Sequence, residues 1–372
     1  MAPKYKIPLV NPMLKNNELK YVSQAVKSGW ISSQGKYVAQ FEKKFQRFVS
    51  SNYSLAVSSG TTALQLALAS IGIKKDDEVI VPNLTFASPV NTIVHSGAKP
   101  ILCDVDLETY CLNEELIRKK ITSKTKAIII VHLYGYPVFM KNIMKLCKRK
   151  NIFIIEDCAE ALGSYSKNKH VGTFGDIGTF SFFSNKTVTT GEGGMIIFKN
   201  KKFYKEAKIL RDHGMSKVKK YWHEKIGYNY RMTNLQAAIG VAQMEKVNIL
   251  IKKKYKMGNI YKKYLKNLNL IKLPPERKNS KNSYWLYSIR LAGKLINKKE
   301  ILMKRLEKKG IETRNCFYPI NIMPAYKDLK TKDSFKNSKL LSKMTICLPS
   351  SCDLNDSQIK NVAKIIKNFV KS

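Results

Sequence analysis

Lys186 stands where the apolar, aromatic run Gly178-Thr-Phe-Ser-Phe-Phe183 gives way to the turn-rich Thr187-Val-Thr-Thr-Gly-Glu-Gly-Gly194. A lysine held by a packed strand and facing a tight loop is placed to form a Schiff base with a carbonyl cofactor. A surface lysine at a strand end has the same local sequence, and this chain is rich in lysine. Two upstream segments bear on the choice. Asp157 closes the apolar run Ile152-Phe-Ile-Ile-Glu156. A carboxylate at the end of a buried strand needs a partner. A protonated pyridine nitrogen would serve, and so would a salt bridge or a helix cap. Glu160 could touch such a cofactor's ring hydroxyl or cap a helix. Ser59-Gly60-Thr61-Thr62 opens an apolar stretch. It reads as a phosphate seat at a helix N-terminus, or as an ordinary N-cap. Ser181 shares a strand with Lys186 and offers a hydroxyl to the same phosphate. Phe86, after Pro82-Asn-Leu-Thr85, could stack on a flat ring or belong to the core.

The elements that must position these groups follow from hydrophobic period. Strands are expected at 53–57, 78–82, 99–104, 126–132 and 151–156, with helices at 63–71, 86–96, 113–121 and 140–150 between them. Residues 16–50 have helical spacing broken near Gly29 and Gly35. Continuous Val/Ile strands separated by helices predict an α/β fold with a mainly parallel sheet covered on both faces. Ligands of such sheets bind beyond the carboxyl ends of the strands, where Ser59, Asp157 and Lys186 all fall. Further helices are expected at 203–213 and 233–264, the second long enough to link domains. Strands at 284–291 and 311–317 and helices at 298–309 and 356–370 suggest a smaller α+β unit.

A chain of 372 residues has room for two domains. Its apolar runs, such as 127–131, are too short to span a bilayer, and the N-terminus lacks the apolar core of a signal peptide. A cytoplasmic protein is expected. Seven cysteines without a Cys-x-x-Cys pair read as small buried apolar residues, not disulfides or metal ligands. No metal site is expected. The net charge of +40 comes from 67 Lys+Arg against 27 Asp+Glu. Lysine far outnumbers arginine and is scattered, which disfavours a nucleic-acid reader relying on arginine forks. Runs such as Lys252-Lys-Lys254 read as solvated helix surface.

In order and local wording these segments resemble the PLP-dependent sugar-nucleotide aminotransferases of the DegT/DnrJ type, from about Ile7 to the C-terminus. The anchors are Ser59-Gly-Thr61, Glu156-Asp157, Phe180-Ser-Phe182 with Lys186, Gly191-Glu-Gly-Gly194 and Gly227-Tyr-Asn-Tyr-Arg-Met-Thr233. Finer wording lies in Trp30-Ile-Ser-Ser33, Val131-His-Leu-Tyr-Gly135, Tyr221-Trp-His223, Glu312-Thr-Arg314 and Phe317-Tyr-Pro319. Ser184 stands where the family wording has glycine, a change that leaves the chemistry in place. Lys186 separates the chain from dehydrase relatives that lack this lysine.

The resemblance implies a fold-type-I, aspartate-aminotransferase-like architecture. A large α/β domain would span 1–254 and a small α+β domain 255–372. It implies a homodimer with shared active sites and pyridoxal 5'-phosphate (PLP) as cofactor. Lys186 would hold PLP and move the proton. Asp157 would pair the ring nitrogen, with Glu160 near the ring hydroxyl. Ser59, Gly60, Thr61 and Ser181 would bind phosphate, Phe86 would stack, and Asn229 would reach the phosphate from the neighbouring subunit. Arg231, Arg314 and Tyr318 would contact the nucleotide sugar. The implied substrates are L-glutamate and a 4-keto-6-deoxy sugar nucleotide. GDP-4-keto-6-deoxymannose comes first, with UDP- or dTDP-linked sugars open. A non-catalytic or nucleic-acid-binding protein on the same fold is the third reading, suggested by charge alone.

Overall fold

Val79, Ile80 and Val81, and likewise Ala127, Ile128, Ile129 and Ile130, are fully buried, so their strands must be covered on both faces. The computed structural model describes residues 5–329, 331 and 333–372, and the first four residues of the N-terminal stretch read for a leader lie outside them. Helices α1 (Glu18–Lys27) and α2 (Lys36–Val49) precede β1 (Tyr53–Val57). There follow α3 (Gly60–Ser70), β2 (Glu78–Pro82), α4 (Ser88–His95), β3 (Lys99–Cys103), α5 (Glu114–Arg118), β4 (Thr125–Val131), α6 (Met140–Lys150) and β5 (Phe153–Asp157). A small hairpin, β6 (Tyr165–Ser166) and β7 (Lys169–His170), leads to β8 (Ile177–Ser181) and β9 (Gly194–Phe198). Helices α7 (Lys201–Leu210), α8 (Asn234–Glu245) and α9 (Val247–Leu265) come next. The C-terminal part holds β10 (Ile271–Lys272), β11 (Ser280–Lys281), β12 (Tyr287–Leu291), α10 (Lys299–Glu307), β13 (Arg314–Asn315), α11 (Lys336–Met344), β14 (Thr345–Leu348) and α12 (Asp356–Lys371).

The seven-stranded sheet runs β1-β9-β8-β5-β4-β2-β3. Pairs β8–β5, β5–β4, β4–β2 and β2–β3 are parallel, while β9 is antiparallel to both its neighbours. Alternation along β1 sends Leu55 and Val57 to one core and Ala56 to another, which contains Phe41 and Phe45 of α2. A third core joins α9, β12, β14 and α12.

Several expectations change. The helix expected over 233–264 is two helices, because Lys246 leaves the helical region (φ −111°, ψ 9°). Its ammonium pairs with Glu18 at 2.5 Å and donates to the Met13 carbonyl, so the break is tied to α1. The strand expected from 284 starts at Tyr287, since Tyr284 has φ 48° and cannot join a ladder. The strand expected over 311–317 is only Arg314–Asn315. Helix α11 and strand β14 had no clear periodic signal, because Lys336-Asn-Ser-Lys is polar. Lys254, read as surface, is 2% exposed. The division expected after residue 254 falls inside α9, and Ile7 pairs with Ile311 and packs in the third core. All seven cysteines are free thiols and six are buried. Among the described residues no helix is long and apolar enough to cross a membrane.

Candidate active site

The carboxyl ends of β5 and β8 and the N-terminus of α3 meet at a cavity of about 430 Å³. Phe180 and Phe182 anchor the β8 side, packing against Phe45 with ring centroids 4.9 and 5.5 Å away. The loop then folds back: Phe182 N–H donates to Gly193 O at 2.8 Å and Thr190 N–H to Phe182 O at 2.9 Å. Gly191, at φ 82°, supplies the left-handed turn that closes it. Lys186 sits inside this closed loop, its backbone N–H bonded to Phe183 O.

Lys186, Asp157 and Glu160 line the same cavity. The exposed part of Lys186 faces that cavity. Desolvation pulls its pKa below the usual lysine value, Glu160 and Asp157 oppose this, and Arg314 adds to it. Asp157 is 6% exposed and accepts one hydrogen bond, from Ala159 N–H at 2.9 Å. Burial raises its pKa, and the Ala159 bond and the Lys186 charge hold the rise back. Burial pushes Glu160 up to about 7. Glu160 ties the short 3-10 turn Leu133–Gly135. It accepts the N–H of Tyr134 at 2.8 Å, and Tyr134 takes the left-handed φ of 54° to deliver it.

Ser59 is the N-cap of α3. Its hydroxyl accepts Thr62 N–H at 3.1 Å and its N–H donates to Thr62 Oγ1 at 3.0 Å, a full capping box. The N–H groups of Gly60 and Thr61, in the first turn of α3, have no place in the helix's own ladder and lie at the cavity. A Cβ on Gly60 would come 2.7 Å from Ser181 Cβ. Glycine is therefore required by the approach of β8, which brings the Ser181 hydroxyl into the same cradle. Phe86 is not core: its ring is 58% exposed, lines the cavity and contacts Phe317 at 5.9 Å.

Trp285 and Phe317 line the cavity as well, and Tyr134 and Lys254 pack behind them. Trp285 lies under Lys186, with Nζ 3.8 Å from the ring centroid, and its indole N–H donates to Asn185 O at 3.0 Å. Tyr134 stacks between Trp285 and Phe317, at 6.4 and 5.7 Å. Lys254 donates to the carbonyls of Trp285 and Ser350, at 2.9 and 2.5 Å, and burial lowers it to about 8. Phe317 stood in the quoted Phe-Tyr-Pro wording and lines the cavity two residues past the end of β13. Tyr318 is 55% exposed and does not line the cavity. Arg314 does.

Asn229 and Arg231 do not line their own chain's cavity. Arg231 pairs with Asp212 at 2.7 Å and donates to Asn229 Oδ1 at 2.9 Å. Below Asp157, His132, Glu156 and Cys158 form a buried group with metal-ligand atoms close together. Glu156 already accepts from Gly172, Phe174 and Gly175 N–H and from His132 Nε2. Burial would raise its pKa, but the His132 contact and these N–H groups hold it below the usual value. His132 Nδ1 accepts Val138 N–H at 3.1 Å, so Nε2 carries the proton. Glu156 serves as a buried tie between β4, β5 and the 172–175 turn.

A lysine beside two buried carboxylates thus lies at the carboxyl edge of a mostly parallel sheet, next to a helix N-terminus, in an α/β protein. The chain belongs to the DegT/DnrJ/EryC1/StrS aminotransferase family, whose model matches residues 12–367. It is 45% identical to the GDP-perosamine synthase of Escherichia coli O157:H7, over 98% of each chain. It is 42% identical to the GDP-perosamine synthase of Vibrio cholerae, over 98% of this chain and 99% of that one. Among solved structures, Helicobacter pylori PseC, an aminotransferase involved in the biosynthesis of pseudoaminic acid, superposes with a TM-score of 0.93 at 28% identity, over 98% and 99% of the chains. Spr1654 from Streptococcus pneumoniae in its PLP form gives 0.93 at 27% identity, over 99% of both.

Proposed function

We propose that this chain moves the amino group of L-glutamate onto the 4-keto carbon of GDP-4-keto-6-deoxymannose. The products are 2-oxoglutarate and GDP-perosamine, a precursor of O-antigen-type cell-surface polysaccharide. The observation that carries the chemistry is one cavity holding Lys186, Asp157 and Glu160 beside the N-terminus of α3. The full-length identity to two GDP-perosamine synthases supports the GDP-linked sugar.

The residues present fit PLP. The first N–H groups of α3 and the Ser181 hydroxyl suit a phosphate, and Gly60 leaves them room. Asp157, buried with one hydrogen bond, suits a cationic ring nitrogen. Lys186 would hold the cofactor's carbonyl carbon, Glu160 would lie near the ring hydroxyl, and Phe86 would cover the ring. PLP, when bound, supplies an electron sink for charge released at a carbon that loses or gains a proton.

The chain's own residues do the rest. Desolvation lowers the pKa of Lys186, which favours the neutral amine that a base requires. Its Nζ takes the proton from the α-carbon of glutamate and later returns one to C4 of the sugar. Arg314, at the cavity wall, offers a cation to the glutamate carboxylate or the diphosphate. The stack of Trp285, Tyr134 and Phe317 keeps water from the lysine.

Asn229 and Arg231, set off from their own cavity, fit a role in a second copy's site within a homodimer. The exposed Val218, Tyr221, Trp222 and Ile226 beside them supply apolar surface for that contact. Cytoplasmic placement belongs to the same reading. Product mass spectrometry tests it, with PLP, glutamate and each of the GDP-, UDP- and dTDP-linked 4-keto-6-deoxy sugars. Conversion of keto to amine with the GDP sugar alone is expected. Conversion of only a UDP or dTDP sugar would overturn the substrate and keep the chemistry.

A further inference from the structure

A second, larger cleft, of about 700 Å³, opens at the other end of the sheet. Its walls come from α6, the turn between β6 and β7, and the end of β9. Phe153 and Ile154, which begin β5, line it, whereas Asp157 at the other end of β5 lines the Lys186 cavity. At about 3.3 Å per residue the two lie roughly 10–13 Å apart along that strand.

The floor is apolar and aromatic, with Phe139, Met144, Phe153 and Phe174 half-buried. Five lysines line it. Lys141, Lys145 and Lys148 follow at helical spacing along one face of α6. Lys167 comes from the hairpin turn and Lys199 from the end of β9. Two more cations sit against the floor rings, Arg277 at 3.6 Å from the Phe139 centroid and Lys169 at 5.1 Å from that of Phe174. Asp176 is the one carboxylate lining the cleft, and it already accepts Ile154 N–H at 2.8 Å.

This excess is local and not a mere share of the chain's charge. The Lys186 cavity sets Lys186 and Arg314 against Asp157, Glu160 and Glu192. The cavity on the other side of Phe139 sets Arg277 against Asp106, Glu114 and Glu115. The large cleft instead sets five lysines against the single carboxylate of Asp176. Cations lining one cleft from three elements suit a multivalent anion. Aromatic walls beside lysines suit a flat base, and the volume is that of a small-molecule site. We propose that this cleft binds a nucleoside diphosphate, as a site separate from the Lys186 cavity.

The test is calorimetric titration of the PLP-loaded enzyme with GDP at 0.15 M salt. The comparison is the double variant Lys145→Glu with Lys199→Met, both exposed side chains outside the catalytic cavity. Two GDP per chain are expected in the wild type and one in the variant, with kcat and KM for amination unchanged. One GDP per chain in the wild type and none in the variant would leave this inference standing and sink the GDP reading of the Lys186 cavity. Equal stoichiometry in the two proteins, at any value, would overturn the inference. So would inorganic diphosphate displacing the second GDP at equal concentration, because the cleft would then be a charge patch only.

Discussion

The Nζ of Lys186 lies 3.8 Å from the centroid of the Trp285 ring, and the Trp285 indole N–H is bonded to the carbonyl of Asn185. The ring both covers the lysine and ties down the residue before it. Lys254, buried in α9, in turn holds the Trp285 carbonyl. The Lys186 side chain is thus positioned from the C-terminal part of the chain, although the strand before its loop belongs to the seven-stranded sheet.

Replacing Lys186 by Ala should abolish amination, a loss of more than about a thousandfold, because both proton transfers lose their carrier. The fold should survive, since the loop is closed by backbone bonds of Phe182 and Thr190. Circular dichroism and mass-spectrometric turnover check this together. Turnover within tenfold of wild type would remove Lys186 from the mechanism.

Trp285→Phe keeps an aromatic face and deletes the bond to Asn185. Such a bond is worth about 1 kcal/mol, so kcat should fall about fivefold with KM for the sugar nucleotide little changed. A change confined to KM would place Trp285 in substrate binding instead. Trp285→Ala should also lower stability by about 3–5 kcal/mol, because the side chain is 5% exposed.

Glu160 makes stability depend on pH. Its folded pKa, raised by burial to about 7, lies above the ordinary carboxylate value. Its contribution is fully present below about pH 4.5 and is lost as pH rises through about 7, because the unfolded chain releases the proton first. Glu160→Gln keeps an acceptor for Tyr134 N–H without a titrating proton. Urea unfolding of cofactor-free protein should show the variant gaining on wild type by on the order of 2 kcal/mol between pH 4.5 and pH 8. A constant difference across that range would contradict the assignment.

Gly60→Ala would press a Cβ to 2.7 Å from Ser181 Cβ. The helix start or the end of β8 must shift, at a cost of about 1–3 kcal/mol. PLP affinity should drop about tenfold or more, because the phosphate donors move with the backbone. Fluorescence titration of the cofactor-free variant and a thermal melt measure the two effects. An unchanged affinity would take the N-terminus of α3 out of phosphate binding.

Much of this was legible in local sequence. β1, β2 and α6 lie where hydrophobic period put them, because buried strands and amphipathic helices write their period into adjacent residues. Asp157 and Lys186 follow buried strands, so both had to emerge at the carboxyl edge, and the order of the Ser-Gly-Thr, Glu-Asp and Lys motifs carried the family. Trp285, Tyr134 and Phe317 left no comparable trace. An aromatic residue reads alike in a core and in a cavity wall, and only the packing of the segment after β13 against Phe86 and Tyr134 puts Phe317 at the cavity and leaves Tyr318 exposed. Lys254 looked like surface because its neighbours are lysines, yet the packing of α9 against Ser350 and Trp285 buries it. Asn229 and Arg231 carry a recognisable motif, but their pairing with each other and with Asp212 is a contact between separate segments. The sequence by itself determined the layers and the placing of Asp157 and Lys186 at the sheet's carboxyl edge, since these depend on neighbours a few residues away. Tertiary structure decided what surrounds them, since contacts between residues a hundred positions apart exist only after the two parts of the chain have packed together.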